Sequence, residues 1–140
     1  MLTEKDKDLI QDAIAQAELQ TSGEIRVHID KACDVDPVKR AIEMFEELKM
    51  HETELRNGVL IFIAFSNQKL AIIGDKGINE LVPSNFWDST RDAMIQLFKE
   101  GKFTEGICAA VNEAGKQLST YFPLEEGDVN ELSNKISTNE

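Results

Sequence analysis

Gly58-Val59-Leu60-Ile61-Phe62-Ile63-Ala64-Phe65 is an unbroken run of aliphatic and aromatic side chains after a glycine, with no polar residue to mark a solvent face. A strand that is half exposed alternates apolar with polar residues. One that is apolar throughout is covered on both faces, so this run reads as a central strand of a sheet flanked by helices. Ser66-Asn67-Gln68 is a short turn, and Lys69 to Gly74 reads as a second strand folded back on the first as an antiparallel hairpin.

Upstream, Glu24-Ile25-Arg26-Val27-His28-Ile29-Asp30 has the two-residue alternation of a half-buried strand, which places His28 on its outward face. Thr3 and Asp6 form a capping pair ahead of Leu9, Ile10, Ala13, Ile14 and Ala17, whose 3.6-residue period predicts a helix to about Gln20. Thr21-Ser22-Gly23 ends it. Asp36-Pro37 starts a second helix, with Ala41, Phe45 and Leu48 on its inner face.

Downstream, Phe86, Trp87, Met94, Leu97 and Phe98 have helical spacing, and Gly101 stops that helix. Phe103, Ile107, Ala110, Val111, Ala114, Leu118 and Phe122 stripe a long last helix. After Pro123 the chain carries Glu125, Glu126, Asp128, Glu131 and Glu140 against the single Lys135. The expected division is therefore one domain over 1–123 and an acidic, loosely held tail over 124–140. The element order gives an α/β fold with a small mixed sheet, in two packed layers or a three-layer sandwich.

With 140 residues, 41% of them hydrophobic, the chain has room for one core of ordinary size. Its formal charge of −11 repels nucleic acid and anionic lipid surfaces and favours cations or basic partners. The charged N-terminus and the absence of any long apolar segment lead to the expectation of a cytoplasmic protein with no membrane anchor. Cys33 and Cys108 lack metal-ligand spacing and are expected to be free thiols.

A strand-helix-strand unit makes the first two strands parallel, and the hairpin sends the third back. Thr21 to Glu24, Arg56-Asn57-Gly58 and Gly74-Asp75-Lys76-Gly77 should then meet at one end of the sheet, here called the first edge. Glu24 and Asp75 bring carboxylates, Asn57 an amide oxygen, and Asp88 can add another oxygen from the start of the following helix. Oxygen donors suit a hard cation, calcium or magnesium. Arg56 can pair with one of these acids or hold an anion.

The opposite edge offers Asp30, Asp34, Asp36, Ser66 and Asn67, at the carboxyl ends of the parallel strands where open α/β sheets commonly bind ligands. Asp36 already has a helix to cap. Cys33 and Arg40 are spaced wrongly for a cysteine phosphatase loop, and no Walker sequence or nucleophile elbow occurs. Gly74-Asp75-Lys76-Gly77-Ile78 lacks the pattern of a known phosphate loop.

Four segments together resemble the TPM domain family: Thr21-Ser22-Gly23-Glu24-Ile25-Arg26-Val27, Arg56-Asn57-Gly58-Val59-Leu60-Ile61, Ile72-Ile73-Gly74-Asp75-Lys76-Gly77-Ile78 and Phe98-Lys99-Glu100-Gly101-Lys102-Phe103-Thr104-Glu105-Gly106. The resemblance spans about residue 5 to Pro123 and is that of a stand-alone, bacterial-type member. It implies a Rossmann-like α/β/α sandwich, favours the first edge, and brings an association with calcium and, for a plant member, acid phosphatase activity. Glu24, Asn57 and Asp75 carry over as candidate ligands, with Arg56 as their neighbour.

Three functions are thus expected to compete. The first is a non-catalytic module that binds calcium, with magnesium second, and presents a surface to a protein partner. The second is a metal-dependent acid phosphatase in which Arg56 holds the phosphate, although no nucleophile or proton donor is evident for it. The third is an adaptor docking through Asn130-Glu131-Leu132-Ser133-Asn134-Lys135-Ile136.

Overall fold

The computed structural model describes residues 2–124 and 136–139. Its elements run α1 (Glu4–Ala17), β1 (Glu24–Asp30), α2 (Pro37–Glu47), β2 (Gly58–Ala64), β3 (Lys69–Gly74), α3 (Lys76–Asn79), α4 (Asp88–Lys99), α5 (Phe103–Tyr121) and β4 (Ser137–Asn139). The strands form one mixed sheet in the order β3-β2-β1-β4. β1 and β2 are parallel, β2 and β3 antiparallel, as the connections require.

The alternation of side chains across the sheet divides the core in two. On one face Ile25, Val27, Ile29, Val59, Ile61 and Ile63 pack against Ile10 and Ile14 of α1, Met94 of α4, and Ile107, Val111 and Leu118 of α5. On the other, Leu60, Phe62, Ala64 and Ala71 meet Ala41, Met44 and Phe45 of α2. The result is a three-layer α/β/α sandwich with every residue of β2 buried, which is why its sequence shows no polar alternation.

The predicted helix starts hold. Thr3 and Asp6 make a reciprocal capping box on α1, with Asp6 N–H to Thr3 Oγ1 at 3.1 Å and Thr3 N–H to Asp6 Oδ2 at 2.9 Å. Asp36 caps α2 with Pro37 at its first position. α1 stops at Ala17, about a turn before the expected Gln20, and the single-turn α3 after β3 was not anticipated.

Two further departures concern β1. Ser137–Asn139 form a strand parallel to it, with Ser137 opposite His28, so the chain segment expected to be a loose tail contributes to the sheet at its end. The intervening 125–135, and with them most of the proposed adaptor segment, lie outside the described residues. His28 is not outward: it is 1% exposed, because α2 covers that face of the sheet and its ring stacks on Phe62 at 6.0 Å. Among the described residues no helix is long and apolar enough to cross a membrane.

Candidate functional site

The first edge assembles as the topology requires. Register places Glu24 beside Gly58. Glu24 N–H donates to Asn57 O at 3.2 Å, and Asp75 N–H to Gly58 O at 2.9 Å, so three segments remote in sequence are stitched together at one strand end. Glu24, Asn57 and Asp75 are 3%, 2% and 5% exposed. Asn57 is held from both sides, its N–H donating to Thr53 Oγ1 at 3.3 Å and its Nδ2 to Ser22 O at 3.2 Å.

Asp75 is the centre of this edge. It caps α3 by accepting from Lys76 N–H at 2.7 Å. Arg56 grips it with both arms of its guanidinium, Nε to Oδ2 at 2.7 Å and Nη2 to Oδ1 at 2.9 Å. The hydrogen bond to Asp75 raises the Arg56 pKa further above its ordinary value.

Arg56 adopts a left-handed backbone, φ +50°, which a non-glycine residue takes only when its surroundings hold it there. Gly77 is part of that hold. Its N–H donates to Arg56 O at 2.9 Å, and a Cβ on it would stand 2.2 Å from Leu55 O and 2.5 Å from Arg56 O. Glycine at 77 is thus what allows the α3 turn to lie directly on the loop carrying Arg56.

Glu18, which the sequence presented as one more polar residue near the end of α1, belongs beside this edge. Its Oε2 accepts from Ile25 N–H at 2.9 Å. Burial pushes its pKa up to about 7; the Ile25 hydrogen bond opposes that rise and the nearby Glu24 charge adds to it. Asp88 stands apart: it opens α4, is exposed, and pairs with Arg91 at 3.2 Å. Among the described residues no three His, Cys, Asp or Glu side chains are grouped so as to hold a metal ion.

Next to Arg56 and Asp75 opens a cleft of about 700 Å³ between α2, β3 and the start of α4. Ile42 and Phe45 of α2 and Ile72 and Ile73 of β3 give it apolar walls, while His51, Lys76 and Trp87 lie at its margin. The Trp87 Nε1 donor is buried there without a partner among the described residues. Helical spacing put Trp87 in an apolar stripe and gave no sign of this donor.

The opposite edge is occupied by structural contacts. Asp30 is buried between His28, whose Nε2 lies 2.7 Å from Oδ1, and Arg40, whose Nε lies 3.0 Å from Oδ2. His28 Nδ1 in turn meets Ser137 Oγ at 3.0 Å. Burial lowers the His28 pKa, so the neutral ring donates from Nε2 and accepts the Ser137 hydroxyl at Nδ1. For Asp30, burial acts upward but the Arg40 and His28 hydrogen bonds outweigh it, and the net shift is downward. Asn67 Oδ1 accepts from Cys33 N–H at 3.1 Å, and Asp36 caps α2. Both cysteines are free thiols.

The family model of the TPM domain matches residues 1–117, and all four resembling segments lie within that span. The chain belongs to the TPM domain family. This TPM domain is 45% identical to the BA42 protein from the psychrophilic bacterium Bizionia argentinensis; the two superpose with a TM-score of 0.94 over 99% of this chain and 96% of that one. Two more distant solution structures share the fold. The N-terminal domain of a P. gingivalis protein is 15% identical, with a TM-score of 0.71 over 86% of this chain and 78% of the other. The N-terminal domain of cg2496 from Corynebacterium glutamicum is 16% identical, with a TM-score of 0.67 over 100% and 81%. No curated protein matches the sequence.

Proposed function

We propose that this TPM domain is a non-catalytic module that binds a divalent cation, calcium before magnesium, at the first edge. The observation that carries this reading is the delivery of Glu24, Asn57 and Asp75 by three separate segments to one buried strand end. Carboxylate and amide oxygens are the donors a hard cation takes, and calcium tolerates the irregular geometry of a sheet end better than magnesium does. Glu18 adds a fourth oxygen-bearing side chain next to Glu24.

Both oxygens of Asp75 already serve Arg56. The ion would recruit Asp75 only by displacing the guanidinium, and would draw on Glu18, Glu24 and a neutral oxygen of Asn57 by exchanging their present contacts for coordination. Such a site, whose carboxylates already have internal partners, corresponds to weak binding, about 10⁻⁴–10⁻³ M. The phosphatase alternative asks Arg56 to hold a phosphate and Asp75 to handle a proton while each is engaged with the other, and so receives less support.

Titrating calcium into isotope-labelled protein should move the amides around Glu18, Glu24, Asn57 and Asp75, and Glu24→Gln should weaken the response about tenfold. Spectra unchanged at millimolar calcium would overturn the reading.

A further inference from the structure

The sheet order leaves β3 with a single neighbour, β2, among the described residues. Because Asp75 N–H bonds Gly58 O, the antiparallel alternation turns the backbones of Ile73, Ala71 and Lys69 toward β2 and those of Leu70, Ile72 and Gly74 outward. Gly74 O already accepts from Asn79 Nδ2 at 2.9 Å, so the open row is that of Leu70 and Ile72, about 7 Å at roughly 3.3 Å per residue. At one end lies the 700 Å³ cleft, lined in part by Ile72, Ile73 and Gly74. At the other lies a second cavity of about 270 Å³, lined by Lys69 and Leu70 of β3, Ile95, Phe98 and Lys99 of α4, and Phe103.

From this arrangement we infer that the outer edge of β3 is a docking site for an extended, acidic segment of a partner protein, which adds to the sheet as a strand and seats side chains in the two cavities. Main-chain hydrogen bonds to Leu70 and Ile72 supply the register, and alternate side chains reach Ile42, Phe45 and Ile72 on one side or Leu70, Ile95 and Phe103 on the other.

Two independent observations select this occupant. The first is charge. With Arg56 and Asp75 neutralising each other, Lys76, Lys69 and Lys99 line the cavities against Glu46 alone. In a chain with 15 cationic and 26 acidic residues this is a local reversal of sign, which attracts a negative segment and, with −11 on each copy, disfavours pairing of two copies through this edge.

The second is the apolar lining: Ile42, Phe45 and Ile72 in the larger cavity and Leu70, Ile95 and Phe103 in the smaller one flank the open edge, so the segment that fits it alternates apolar with acidic side chains.

The test is a library of linear nonapeptides selected against the full chain in EDTA, which separates it from the cation titration. Enriched peptides should carry net negative charge with alternating apolar residues. They should shift the Leu70, Ile72 and Gly74 amides and the Trp87 indole N–H, and slow hydrogen exchange at Leu70 and Ile72. Joint Lys69→Glu, Lys76→Glu and Lys99→Glu substitution should weaken them at least tenfold. Ile72→Pro removes one outward donor that β2 does not use and should abolish binding; the lysine variant, which leaves the apolar core untouched, decides the matter if Ile72→Pro does not fold. An edge merely guarded by its lysines would yield no enriched peptide. That result, enrichment of neutral or basic sequences, shifts mapping away from β3, or unchanged binding by the lysine variant would each overturn the inference.

Discussion

Replacing Glu18 with glutamine isolates the electrostatics of the first edge. In the wild type burial of the carboxylate, with a smaller push from the charge of Glu24, carries its pKa from the usual 4.5 to about 7 against the opposing hydrogen bond from Ile25 N–H. A raised acid pKa means that the folded state holds a proton the unfolded chain has lost. The ionisation penalty is absent below about pH 4.5, grows between 4.5 and 7, and is complete above 7. Stability attributable to Glu18 therefore falls as pH rises through that window. At about 1.4 kcal/mol per pH unit the ceiling is about 3 kcal/mol, which solvent screening of a partly exposed group reduces to about 1–2 kcal/mol.

Glutamine keeps an oxygen for Ile25 N–H and cannot ionise. Urea unfolding of Glu18→Gln in EDTA, followed by far-UV circular dichroism, should match the wild type near pH 4.5 and exceed it by about 1–2 kcal/mol at pH 8. A difference of equal size at both pH values, or a loss of stability at pH 8, would refute the account of a strained carboxylate beside Glu24.

Asp30→Asn should destabilise the fold by about 2–4 kcal/mol, since it leaves Arg40 and His28 without their shared anion. It should also shift the Ser137 amide through His28; an unmoved Ser137 would separate β4 from this network. Because the Asp30 pKa is lowered, its contribution is present above the unfolded value of 3.8 and fades as pH falls through the folded one. Gly77→Ala puts a Cβ 2.2 Å from Leu55 O, which forces the 55–57 loop off α3 and should cost about 2–4 kcal/mol in chemical denaturation. A loss below about 0.5 kcal/mol would mean that the loop yields freely.

Much of the fold was legible in local pattern. The buried run of β2, the capping residues Thr3 and Asp36, and the stripe of α5 are decided by side chains within a few positions of each other, where periodicity and capping chemistry act directly. The meeting of Glu24, Asn57 and Asp75 was legible too, because the sense of each strand follows from the kind of connection that precedes it. The role of His28 was not, since alternation along β1 distinguishes two faces but does not say that α2 covers the polar one.

The sequence by itself determined the elements, the order of parallel and antiparallel pairing, and which end of the sheet collects the oxygen-bearing side chains. Only the tertiary structure decided what those side chains do there. Arg56 takes both oxygens of Asp75, Glu18 comes up beside Glu24, and Trp87 lines the cleft with its N–H buried and unpartnered among the described residues. The reason is physical: periodicity records which face of an element is apolar, whereas ion pairs, pKa shifts and orphaned donors depend on distances between residues far apart in the chain, which are fixed only when the layers pack.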